Sequence, residues 1–218
     1  MLTIYVYAIF ADPNYNILLM KNPEYPLFLQ FKITTLANDF VAKDKNDNTI
    51  AYVRQKMFKL KEDVVVFNNE SKAEELFRIK ADRWLDFNAN YSISESRTGE
   101  SLGKIGRRGM KSIWKSTYIG MDKHGSEDYT IREDNGWVKV WDSMIGELPI
   151  IGMFTGYILN PSYTLTDKEG NKIFQLKKMP SFFGRKFMLQ KFADIPENDE
   201  SRLILSFMMM VLLERARG

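Results

Sequence analysis

The 218-residue sequence predicts a mainly β protein, a closed antiparallel β-barrel of about twelve strands around a buried C-terminal α-helix. Three observations predict it. The last stretch, "RLILSFMMMVLLERARG", is apolar on every side. Nearly everything before it breaks into short segments of alternating polarity. Turn signals separate those segments closely enough to make the connections hairpins, and hairpins make a sheet antiparallel.

A chain of this length fits one large β domain, expected over 23–218, with an N-terminal extension at 1–22. The extension, "MLTIYVYAIFADPNYNILLM", lacks a basic start and is broken by "DPNYN", so it reads as a peripheral hairpin or loosely held segment rather than a secretory signal. Patterned sequence begins soon after Met20, an alternative start. The first strand, "LFLQFKIT", sets Leu27, Leu29, Phe31 and Ile33 on one face and Phe28, Gln30, Lys32 and Thr34 on the other. "TIAYVRQ", "EDVVVF", "LFRIKA", "TYIGM", "DYTIRE", "WVKVWD", "KIFQLKK" and "KFMLQK" follow the same rule. Asn135-Gly136, between "YTIRED" and "WVKVWD", is a favoured two-residue hairpin loop. Lys45 to Asn48, Thr98-Gly99, His124-Gly125 and Glu169 to Asn171 mark further reversals.

The closing helix is expected at about 199–216. Ten of the eleven residues from Leu203 to Leu213 are apolar. At about 1.5 Å per residue they reach about 16 Å, well short of a bilayer core of about 30 Å, so a folded shell is the better enclosure. Asn198 or Asp199 can cap its start, and Arg215 and Arg217 suit the negative end of its dipole.

An internal repeat supports a regular sheet. Units starting at Phe40, Tyr91 and Tyr163 each begin aromatic-x-apolar-x-acidic, with Asp44, Glu95 and Asp167 at a turn. Each continues through a second apolar strand to a basic cluster and a methionine, namely Met57, Met110 and Met179.

The order of a "YVRQKMFKL" strand, "FRIKA", "LGKIGRRGMKSIWKSTY", "FFGRKF" and a terminal all-apolar helix resembles the LURP-one-related family, which belongs with tubby C-terminal domains and phospholipid scramblases. The resemblance spans 27–216. It implies a tubby C-terminal-like barrel around its last helix, a link to membrane lipids or calcium, and no defined catalytic activity.

Composition narrows the partners. With 44% hydrophobic and 27% charged residues the chain is globular. A net charge of +3 and a pI near 8.9 permit an anionic partner but fall short of a dedicated nucleic-acid binder. The absence of cysteine removes disulfides, thiol nucleophiles and thiolate metal sites, and it fits a reducing compartment. A cytoplasmic protein is expected, peripheral at the membrane if it binds lipid. The densest basic cluster is Lys104, Arg107, Arg108, Lys111 and Lys115, interleaved with Gly103, Gly106 and Gly109 and followed by Trp114. Such cations on a rigid edge can hold phosphate oxygens, with bare glycine backbone admitting close approach. Arg185 and Lys186 occupy the corresponding region of the third unit. The uncharged run from Leu148 to Asn160 could add an apolar contact with lipid.

Catalytic material is sparse. His124 is the sole histidine and lies in the turn "DKHGS". "GESLGKI" is one residue short of a phosphate loop, and "GKIGRRG" is not the dinucleotide fingerprint. The carboxylates of "ADIPENDES" are spaced unlike a calcium loop and suit a helix entry. No enzyme, cofactor or metal is expected. The alternative to a lipid binder is a soluble scaffold or adaptor for a protein or small ligand, with an undetected enzyme third.

Overall fold

The computed structural model describes residues 23–32, 38–55, 63–82, 89–108, 116–134, 161–181 and 186–215. β1 (Leu27–Phe31), β2 (Phe40–Lys43), β3 (Thr49–Gln55) and β4 (Asp63–Phe67) lead into β5 (Glu75–Ala81), β6 (Asn90–Glu95), β7 (Ser101–Arg107) and β8 (Thr117–Met121). β9 (Glu127–Glu133), β10 (Ser162–Thr166), β11 (Lys172–Met179) and β12 (Lys186–Lys191) complete the sheet, and α1 (Glu197–Arg215) follows. Each strand pairs antiparallel with its neighbours in the chain. β1 also pairs with β12, Leu27 opposite Leu189 and Gln30 opposite Lys186, so the twelve strands close into a barrel with no free edge.

Alternation decides what faces inward. Leu27 and Leu29 in β1, Val64 and Val66 in β4, Ile93 in β6, and Phe174 and Leu176 in β11 are fully buried against the helix. From Leu203 to Leu212 no residue of α1 is more than 2% exposed. A helix apolar all round needs burial all round, and the surrounding strands provide it. No helix among the described residues is long and apolar enough to cross a membrane.

The hairpins β2–β3, β4–β5, β6–β7, β8–β9 and β10–β11 turn at the end of the barrel where α1 begins. The repeated units coincide with β2–β3, β6–β7 and β10–β11, each four strands from the next. Their acidic residues build the turns. Asp44 accepts the N–H groups of Asn46 and Asn48, and Asp167 accepts that of Asn171. "DKHGS" uses the same device, with Asp122 accepting from His124 and Ser126. The fourth residue of each loop has positive φ: 67° at Asp47, 87° at Gly125 and 88° at Gly170.

Two expectations change. β9 pairs with β8 on one side and with β10 on the other, Glu133 opposite Tyr163, so its second neighbour is not the "WVKVWD" segment. That segment, Asn135-Gly136 and the run from Leu148 to Asn160 lie outside the described residues. The helix begins at Glu197, ahead of the expected caps. The Pro196 carbonyl accepts from the N–H groups of Asp199 and Glu200, while the Asp199 carboxylate takes a guanidinium N–H of Arg202 instead.

Candidate functional site

Side chains pack the barrel interior among the described residues, and several buried polar groups hold α1. Arg202, 2% exposed, donates in bidentate fashion to Asp128 at the start of β9 and also to Asp199. Its stem runs beside Gly103, where φ is +133° and an added Cβ would lie 2.8 Å from Arg202 Cδ. Lys191 and Tyr25 both donate to Glu200, at 2.9 and 2.6 Å. At the far end the hydroxyls of Tyr118 and Tyr163 donate to Glu214, at 2.6 and 3.3 Å. Burial first, then the negative charge of Glu214, pushes the Tyr163 phenol far above its ordinary range, so it stays a donor. These groups dock the helix. Exposed cations lie on the outer wall.

On that wall β5, β6 and β7 set one row across three strands, Lys80 opposite Ser92 and Ser92 opposite Lys104. Both lysines are exposed and Ser92 is half-buried between them. Two strand spacings separate the lysine backbones by about 9.6 Å, a gap that two long side chains can close over one tetrahedral anion. The outward residues of β6 are small and polar, Asn90, Ser92 and Ser94, so nothing bulky rises between the cations. Beside them Arg78 is committed to Asp63, Nε and Nη2 each donating at 2.8 Å. Neither Lys80 nor Lys104 has a carboxylate at ion-pair distance among the described residues. The row, which we term the trough, sets a hydroxyl between two ammonium side chains, and Asp63, opposite Lys80 on its other side, is bound by Arg78; the chemistry suits a phosphate group.

The residues singled out from sequence separate around the barrel. Lys104 stands in the trough. Arg107, half-buried, ends β7 on the opposite side of the strand and pairs in register with Tyr118. Arg108 is exposed, its Nη2 3.8 Å from Glu127 Oε2. Lys186 opens β12 with its ammonium 4.9 Å from the centre of the Phe28 ring. β12 lies diametrically across from β6, six strands away in either direction. Lys111, Lys115 and Arg185 lie outside the described residues, as do Gly109 and Trp114. The glycines expected to admit a ligand are filled by the protein: Gly103 faces Arg202, and a Cβ at Gly106 would collide with the Asn90 side chain. In "ADIPENDES", Glu200 and Asp199 are held by Tyr25, Lys191 and Arg202. Lys80 and Ser92 escape sequence reading because their shared face depends on register. The alternation of "LFRIKA" places Arg78 and Lys80 together but does not say what stands opposite.

The barrel with its central helix defines the class. No family model and no curated protein matches the chain. Among solved structures, a protein from Arabidopsis thaliana, AT5G01750, is similar in fold. The likeness covers 90% of this chain and 94% of that one, with a TM-score of 0.50 and 12% sequence identity.

Proposed function

We propose that this chain is a non-catalytic, tubby-like barrel related to the LURP-one-related proteins, and that it works as a peripheral membrane protein holding the phosphate of anionic phospholipid headgroups. One observation carries the reading. Lys80 and Lys104, free of carboxylate partners among the described residues, bracket the Ser92 hydroxyl in a single register row on an exposed wall. Two ammonium groups can pair with the free oxygens of a headgroup phosphate, and the hydroxyl between them can donate to one of those oxygens.

Flotation with vesicles of neutral and anionic lipid tests this. The protein should rise with anionic vesicles at low salt and release as salt increases. A lysine near an anionic surface contributes about 1 kcal/mol, so Lys80→Ala and Lys104→Ala should each weaken partitioning roughly fivefold and the pair roughly thirtyfold. Failure of the unaltered protein to co-float with any anionic lipid at low salt refutes the reading.

A further inference from the structure

The wall opposite the trough has a different character. In one row across β2, β1, β12 and β11, Lys43 stands opposite Phe28, Phe28 opposite Met188 and Met188 opposite Lys177. Phe28 and Met188 are half-buried and Lys177 is exposed. In the next row Gln30 faces Lys186, and Lys186 faces Met179. Just past β12, Phe192 is 51% exposed, with the Lys172 ammonium 3.8 Å from its ring centre. Lys186 lies likewise over Phe28. None of the outward residues of β1, β11 and β12 is a carboxylate. Phe28, Met188 and Phe192 therefore stand along the β1–β12 seam with Gln30 and Gln190 between them and lysines alongside.

We propose that this seam is a docking face for an acidic amphipathic helix of a partner protein. Charge selects the partner, because Lys172, Lys177 and Lys186 have no carboxylate beside them in the seam strands and complement Glu and Asp, whereas Lys43 is already held by Asp47. Shape selects the helix. The barrel is closed, so the seam offers no free edge to which a partner strand could add, and the partner must satisfy its own backbone. From Lys186 to Phe192 the outward column is about 20 Å long, the length of a helix of about 13 residues. Phe192, Met188 and Phe28 would receive its apolar stripe, and Lys172, Lys177 and Lys186 its flanking carboxylates. A second copy of this chain is a poor fit, since a two-fold contact sets these lysines against one another. The choice of a protein over a bilayer rests on the headgroup reading above: with Lys80 and Lys104 against lipid, the seam faces away from it.

The test uses the full-length protein and a fluorescent 14-residue helical peptide with a Leu/Phe stripe flanked by Glu. Saturable binding by anisotropy is expected, weakened at least tenfold by Lys177→Glu with Lys186→Glu, and separately by Phe192→Ser. Lys80→Glu with Lys104→Glu should leave it unchanged. Unaltered urea midpoints confirm that the variants fold. No saturable binding, or equal loss with both charge-reversed pairs, overturns the proposal. If the seam variants instead lose vesicle flotation and keep the peptide, the seam is a membrane face and the proposal also falls. If the peptide binds as expected but no anionic vesicle does, the seam assignment stands and the headgroup reading fails alone.

Discussion

At the level of single residues, Arg202 is the largest fully buried side chain among the described residues, and it carries a charge. It sits at the first turns of α1 with its guanidinium shared between Asp128 and Asp199 and its face 5.5 Å from the centre of the Tyr129 ring. Burial alone would favour the neutral form. The two carboxylates outweigh it and hold the guanidinium above its ordinary range. Arg202→Met removes one side of this arrangement and strands two carboxylates. Breaking a buried pair costs about 3–5 kcal/mol, and the loss should fall near the lower figure because Asp128 and Asp199 are 21% and 35% exposed. Urea unfolding measures it. Adding Asp128→Asn should recover part of the loss, whereas additive losses would show that the pair is not coupled.

Among the elements, the three Asp-Lys-x-x-Asn/Ser hairpins show how a short local motif becomes pH-sensitive. Asp44 and Asp167 are held below the usual carboxylate range chiefly by the side-chain amides of Asn48 and Asn171, and Asp122 chiefly by the Ser126 N–H. A carboxylate whose folded pKa is depressed stabilises the fold above its unfolded pKa, near 3.9, and loses that contribution as pH falls through the folded value. Replacing Asp122 or Asp167 by Ala should therefore lower the urea midpoint at pH 7. The difference from the unaltered protein should shrink steadily below about pH 4. A gap that persists undiminished in strong acid would mean that the carboxylate charge is irrelevant to these turns.

For the molecule as a whole, barrel and helix are one cooperative unit. Among the described residues the inward faces of the strands pack on α1, and α1 has no exposed side to give up from Leu203 to Leu212. Met209→Lys places an ammonium at a position of 0% exposure within the apolar core, so the expected outcome is loss of the cooperative urea transition and binding of a hydrophobic dye, not a modest shift in midpoint. A sharp, two-state transition near the unaltered midpoint would mean that the helix can leave the barrel without cost. The two outer surfaces depend on this unit, since the trough and the seam are opposite walls of the same closed sheet.

Much of this architecture was legible in the chain. Alternation in "LFLQFKIT" and its successors, the turns at Lys45 to Asn48, Thr98-Gly99, His124-Gly125 and Glu169 to Asn171, and the all-apolar end of the chain are local signals, set within a few residues by backbone geometry and side-chain polarity. They sufficed for a closed barrel around a helix. Register is not local. β9 meets β10 across a long connection, while Lys80, Ser92 and Lys104 share a row only because β5, β6 and β7 pair at one particular offset. The same holds for Phe28 beside Met188, which are 160 positions apart and meet only where the barrel closes. Closure fixes these offsets through the fit of every inward side chain to the helix at once, a condition no single segment carries.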